Sequence, residues 1–113
     1  MGITQDVIEN QFLEAFAILQ RRTYDTATKH GFQDYQANAL YVPTKLSLIM
    51  SEAAEALEAH RQNQDGELGH ELADIVIRTM DLAQSLNIDL ATEIVKKAKF
   101  NEDRPFKHGN KRY

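Results

Sequence analysis

Two pairs of carboxylates stand three residues apart in the middle of the chain. Glu52 precedes Glu55 in "SEAAEALEA", and Glu71 precedes Asp74 in "HELADIVIR". Residues three apart share one face of a helix, so each pair can present both carboxylates in one direction. Oxygen ligands suit a hard ion, usually Mg²⁺, which is commonly bound together with phosphate groups. The pairs indicate a metal site for a phosphorylated ligand or, in the plainer interpretation, the solvated acidic face of a helix.

A helical hairpin would bring the two pairs together. The connecting segment "QNQDG" contains Asp65-Gly66, which favours a turn. In an antiparallel hairpin, residues whose numbers have the same sum lie at the same height. This condition holds for Glu52 with Asp74 and for Glu55 with Glu71. Because converging carboxylates repel one another unless cations offset their charge, the spacing predicts one metal centre formed by all four.

A second polar set lies towards the end of the chain. The stripe that begins with Leu90 and Ile94 continues at helical spacing through Lys97 and Asn101 and reaches Arg104. An arginine fork and a lysine point charge can both bind phosphate oxygens. In the plainer interpretation, the lysine covers apolar surface and the asparagine caps a helix end. We predict that this polar set faces inward, beside the carboxylates.

Four helices are expected to position these side chains. The segments between breakers are rich in helix-favouring residues, and no alternating strand pattern, internal repeat or low-complexity tract is present. Gly31 and Pro105 are the expected stop signals, and Asp89 is the expected N-cap of the last helix. We predict a single all-α domain over residues 1–113, with helices at about Gln5–His30, Thr44–Gln62, Gly66–Leu86 and Asp89–Glu102.

The apolar residues of the two central helices predict how these helices are buried. The polar residues of the third helix form one narrow stripe, made by Glu71, Asp74, Arg78, Asp81 and Ser85. Because a solvated face is normally wider than this, we expect the third helix to be buried nearly all round. On the second helix, the apolar stripe is made by Leu46, Ile49, Ala53 and Leu57.

Composition narrows the class of protein. The chain has 113 residues, no cysteine and a net charge of -4, which argues against binding to a nucleic-acid polymer. Residues 96–113 hold seven Lys or Arg and two acids, so an acidic body is followed by a basic tail. The start of the chain lacks the pattern of a signal peptide, and no apolar run approaches the ~20 residues of a membrane span. We expect a cytoplasmic protein without a membrane partner.

The combination of motifs resembles the MazG-type all-α nucleoside triphosphate pyrophosphohydrolases. The shared pattern is Glu-x-x-Glu, a spacer, Glu-x-x-Asp and then Lys-x-x-x-Asn-x-x-Arg-Pro, read here from "SEAAEALEA", "HELADIVIR" and "KAKFNEDRPFKHG". The similarity covers roughly Lys45 to Gly109. One departure is Ser51, because many members of the family carry an additional glutamate at this place.

The resemblance implies a four-helix bundle assembled as a homodimer or a dimer of dimers. It also implies Mg²⁺-dependent hydrolysis of a nucleoside triphosphate to a monophosphate and pyrophosphate, with Mn²⁺ as a substitute ion. Carried over, the metal ligands are Glu52, Glu55, Glu71 and Asp74, and the phosphate-binding residues are Lys97, Asn101 and Arg104. Glu55 is our choice for the carboxylate that takes the proton of the attacking water.

Other roles and classes stay open in the sequence. Tyr24, His30, Phe32 and Tyr35 are candidates for stacking on a base, although packing is the commoner role of such residues. Lys45 and Arg78 are candidate supporting or base contacts. One rival class is a di-iron protein, but that class needs two Glu-x-x-His motifs and only Glu67-x-x-His70 is present. The other rival is a non-enzymatic dimeric helical regulator, which would tolerate the loss of Glu71. The sequence does not indicate which base or which sugar the nucleotide substrate would carry.

Overall fold

A computed structural model describes residues 4–31 and 38–105. The described residues form four α-helices and no strand, which confirms the all-α class: α1 (Gln5–Lys29), α2 (Tyr41–Arg61), α3 (Leu68–Ser85) and α4 (Leu90–Glu102). A short 3-10 turn at Asp65–Glu67 precedes α3. Among these helices none is long and apolar enough to cross a membrane.

The chain divides into two compact units. One unit is made by the chain up to Ala17 and from Asp89 onwards, and it contains the first part of α1 and all of α4. The other unit, Ile18–Ile88, contains the rest of α1 together with α2 and α3. The two glutamate-containing motifs therefore belong to the second unit, whereas Lys97, Asn101 and Arg104 belong to the first.

Local signals define most of the helix ends. The Asp89 side chain accepts the hydrogen bond of the Thr92 backbone N–H at 3.2 Å, which confirms it as the N-cap of α4. After α1, Gly31 has a φ of 81°, a conformation that costs glycine little. Asn63 and Asn87, with φ of 59° and 57°, adopt the same left-handed conformation after α2 and α3.

Two expected boundaries differ from those observed. We expected α2 to begin near Thr44, but it begins at Tyr41 and contains Pro43 in its first turn. A proline is tolerated there because the first backbone N–H groups of a helix have no partner within it. We expected α3 to begin near Gly66, but it begins at Leu68, because Asp65-Gly66 lies in the 3-10 turn. The left-handed residue after α2 is Asn63.

The α2–α3 hairpin buries polar side chains along with apolar ones. Tyr41, Met80 and Leu82 belong to its core, and Lys45 and Glu52 are also buried. Outside this core, large apolar residues of both helices are exposed. The expectation that α3 is buried nearly all round is wrong for the single chain, and so is the expected core stripe of α2. The exposed residues include Leu46, Met50 and Leu57 on α2 and Leu72, Val76 and Ile77 on α3.

Apolar and ionic contacts occur in the unit that contains the first part of α1 and all of α4. Phe12 and Phe16 pack with ring centroids 5.3 Å apart. Glu9 pairs with Lys99 at 3.3 Å. Glu9 and Lys99 also line an open groove of about 540 Å³. Most of its other lining side chains are apolar, among them Ile8, Phe12, Ile94 and Val95.

Candidate metal-binding site

Three of the four predicted carboxylates converge. Glu52 and Glu55 of α2 and Glu71 of α3 each offer one oxygen, and these oxygens all lie within 4.8 Å of one another. The i, i+3 spacing places the first two on one face of α2. The antiparallel return of the chain through the 3-10 turn then brings Glu71 to the same level.

The environment of Glu71 disfavours a bare negative charge. Its Oε2 atom is buried and has no hydrogen-bond partner among the described residues. Burial raises the pKa of the Glu71 carboxyl, and the negative charges of Glu55, Glu52 and Asp74 raise it further, while His70 acts in the opposite direction. An unpartnered carboxylate oxygen beside like charges is a position that a cation would stabilise.

Asp74 belongs to a neighbouring pocket rather than to the group of three. The pocket has a volume of about 240 Å³, and Asp74 lines it together with Arg78 and Asp81. Asp74 still acts on the cluster, because its charge contributes to the raised pKa of Glu71. The structure thus brings three of the four predicted ligands together and places the fourth beside them.

Two residues that line this pocket, Lys45 and Asp81, form a buried ion pair. Lys45 Nζ lies 3.9 Å from Asp81 Oδ2, and both side chains are at most one-tenth exposed. Burial lowers the pKa of Lys45, the charge of Asp81 opposes this shift and the charge of Arg78 adds to it. The rest of the lining comes largely from α1 and includes Thr23, Thr26, Ala27 and the candidate stacking residue His30.

Arg78 connects the pocket to the carboxylates. Its Nε donates a hydrogen bond of 2.8 Å to Oε1 of Glu52. The Glu52 side chain is 11% exposed and that of Arg78 is 38% exposed, so the pair stands at the edge of the buried region. Sequence reasoning gave Arg78 no definite role and Asp81 none. The signal that could have found both is their spacing from Glu71 and Asp74 along α3.

Lys97, Asn101 and Arg104 are the predicted phosphate-binding residues. They lie on α4 and just beyond it, in the other compact unit. Lys97 and Asn101 are exposed and Arg104 is half-buried. Lys97 Nζ lies 4.7 Å from the ring centroid of Phe100, and Arg104 Cζ lies 5.6 Å from it. Their binding to phosphate stays a prediction.

The other histidines and Tyr24, among the residues that the structure describes, have separate surroundings. Within the described ranges, the converging group consists of three glutamates and contains no histidine. His70 is exposed, and His60 bonds to Asp65 at 2.9 Å. Tyr24 is half-buried, and its ring lies 5.7 Å from the guanidinium of Arg21. Phe32 and Tyr35 lie outside the described residues.

The donor set fits a hard divalent cation. Three carboxylates supply oxygen ligands only, and one buried oxygen has no hydrogen-bond partner among the residues described. Mg²⁺ and Mn²⁺ both favour such ligands, and Mg²⁺ leaves several coordination positions to water or phosphate. No family model matches the chain, and no curated protein or solved structure matches it either.

Proposed function

We propose that the protein is a cytoplasmic, Mg²⁺-dependent nucleoside triphosphate pyrophosphohydrolase that cleans or controls nucleotide pools. The observation that carries the proposal is the convergence of Glu52, Glu55 and Glu71, in which the buried Oε2 of Glu71 has no hydrogen-bond partner in the described part of the chain. The resemblance of the motifs to MazG-type enzymes supports the reaction type. The pocket that begins at Asp74 and Arg78 offers room beside the cluster for another part of a phosphorylated ligand.

The chain's own residues have separate tasks in this reaction. Glu52, Glu55 and Glu71, with Asp74 beside them, hold the ion, which when bound neutralises the phosphate chain and makes a water molecule more acidic. Glu55 is exposed, whereas Glu52 is buried. This difference supports Glu55 as the carboxylate that accepts the proton of the attacking water. Lys97, Asn101 and Arg104 bind the phosphate chain in this proposal.

The products decide the reaction class. We expect a nucleoside monophosphate and pyrophosphate in equal amounts, because the proposed reaction cleaves between the first and second phosphates. The measurement is chromatography of the nucleotides, with parallel assays for pyrophosphate and orthophosphate, on a panel of canonical and modified triphosphates. Accumulation of a diphosphate with orthophosphate released from the start would reject the proposal in favour of a phosphatase.

The exposed apolar face supports the proposal of a homodimer or homotetramer. Leu46, Met50 and Leu57 are spaced by four and seven residues on α2, and Leu72 and Val76 are spaced by four on α3. All five are about half exposed or more in the single chain, and Met50 is 71% exposed. Contiguous apolar surface on a soluble protein usually marks a contact with another molecule. In most soluble oligomers that molecule is a second copy of the same chain.

The mass in solution tests this assembly. We expect light scattering after size exclusion to give two or four times the chain mass of 12.9 kDa. Met50→Glu should reduce the mass towards that of the monomer, because it places a charge in the apolar face. A monomer at all concentrations tested for the unmodified protein would reject the proposed assembly.

The same apolar face favours a second candidate function, a dimeric helical regulator without enzymatic activity. Such a protein would need the exposed side chains of α2 and α3 but not the carboxylates between these helices. It would therefore keep its function after Glu71→Gln and lose it after Met50→Glu. The proposed enzyme should instead lose its activity after Glu71→Gln.

A further inference from the structure

The positively charged side chain of Arg78 already contacts the carboxylate cluster of Glu52, Glu55 and Glu71. Arg78 donates from Nε to Oε1 of Glu52 at 2.8 Å, and Glu52 is one of the three converging glutamates. The carboxylate is almost fully shielded from solvent, whereas the guanidinium is partly open. A buried carboxylate that loses its partner is strongly destabilising. Arg78 therefore supplies positive charge that the cluster needs when no ion is present.

Arg78 also has other acidic neighbours along α3. Asp74 precedes it by four residues and Asp81 follows it by three, so both lie on the same face of the helix. Arg78, Asp74 and Asp81 all line the pocket beside the cluster. The arginine side chain is long and 38% exposed. A guanidinium released from Glu52 can thus turn towards this pocket without becoming an isolated charge.

We propose that Arg78 is the resident counter-ion of the cluster and that an incoming divalent cation displaces it from Glu52. The proposal rests on the proposed metal site and adds a regulatory element to it. The guanidinium and the ion compete for the same negative charge, and they repel each other when both are close. Arg78 thus stabilises the ion-free protein and weakens the binding of the ion.

Arg78→Met tests both effects, because methionine keeps an unbranched chain and removes the charge. In buffer with EDTA, we expect the melting temperature to fall by roughly 4–8 °C. Titration calorimetry with MgCl₂ alone should give a dissociation constant about tenfold lower than that of the unmodified protein. The reason is that the guanidinium no longer competes with the ion. Arg21→Met is the matched control. Arg21 pairs with Asp25 at 3.1 Å, but both side chains are at least half exposed, so neither quantity should change appreciably.

A second variant separates charge neutralisation from mere support of the Glu52 side chain. Glu55→Gln removes one negative charge from the group without touching the hydrogen bond between Arg78 and Glu52. If Arg78 neutralises the whole cluster, Glu55→Gln should raise the melting temperature in EDTA more in the Arg78→Met background than in the unmodified protein. If Arg78 only holds Glu52 in place, the increase should be equal in both backgrounds.

Two results would overturn the proposal. One is an unchanged melting temperature of Arg78→Met in EDTA. The other is 10–100-fold weaker binding of Mg²⁺, which is the usual effect of losing an outer partner of a metal ligand. If the unmodified protein binds no divalent cation, the proposed function fails instead. In that case, the melting temperatures in EDTA and their dependence on Glu55 still decide whether Arg78 neutralises the cluster.

Discussion

Glu71→Gln should reduce turnover by roughly 100-fold or more. Losing a residue that only supports a metal ligand typically costs about 10–100-fold in activity, and losing a ligand itself should cost at least as much. Glu71 is one of the three converging carboxylates, and its buried Oε2 has no hydrogen-bond partner within residues 4–31 and 38–105. Glutamine keeps the size of the side chain but offers no negative charge to an ion. The loss should appear in steady-state assays at saturating substrate, while the circular dichroism spectrum stays helical.

The same substitution should make the ion-free protein more resistant to heat. The raised pKa of Glu71 means that the folded state binds its proton more tightly than the unfolded state does. Stability therefore falls as pH rises from the ordinary range of a glutamate through the raised pKa. Glutamine does not titrate, so melting curves in EDTA across this range should show a smaller decline for the variant.

Glu58→Gln provides the control for both measurements. Glu58 lies on α2 three residues after Glu55, is exposed, and accepts a hydrogen bond of 2.7 Å from Gln62. It loses the same charge but stands outside the converging group. We expect near-normal turnover for this variant. If Glu71→Gln were also to retain near-normal turnover, Glu71 would not be a ligand of the catalytic ion.

Saturating Mg²⁺ should raise the melting temperature of the unmodified protein by several degrees, and EDTA should reverse the change. A ligand that binds only the folded state adds about 2.7 kcal/mol of stability when its free concentration is 100 times its dissociation constant. For a domain of this size, that gain corresponds to roughly 10 °C. The physical source is the relief of repulsion among Glu52, Glu55 and Glu71.

Differential scanning calorimetry, with NaCl at matched ionic strength as the control, measures this effect. The sodium control separates binding at the site from general screening of charge, which acts on all exposed carboxylates. Glu71→Gln should show a smaller increase with Mg²⁺ than the unmodified protein. An unchanged melting temperature, together with no heat of binding in titration calorimetry, would contradict the metal site.

Much of the secondary structure could be predicted because its signals are local. The cap at Asp89 depends on a side chain that reaches the N–H of Thr92, three residues away. The stop at Gly31 depends on the low cost of a positive φ for glycine. The start of α2 was missed because a proline is compatible both with a boundary and with the first turn of a helix.

The candidate site was only partly predictable. Spacing within α2 determines that Glu52 and Glu55 share a face, and the hairpin brings Glu71 to them. The same reasoning placed Asp74 in the group, but the structure places it in the pocket beside Arg78. Equal height in a hairpin does not determine the direction in which each side chain points, since that direction depends on rotamers and on neighbouring charges.

The sequence by itself determined the all-α class, the four helices, the cap at Asp89, the stop at Gly31 and the spacing of the acidic pairs, because these follow from interactions within a few residues. Only the tertiary structure decided which faces are buried. It placed Lys45, Glu52 and Asp81 inside and left Met50 and Leu72 exposed. The physical reason is that a buried charge becomes tolerable once a distant partner compensates it. Arg78 provides this partner for Glu52, 26 residues away, and Asp81 provides it for Lys45.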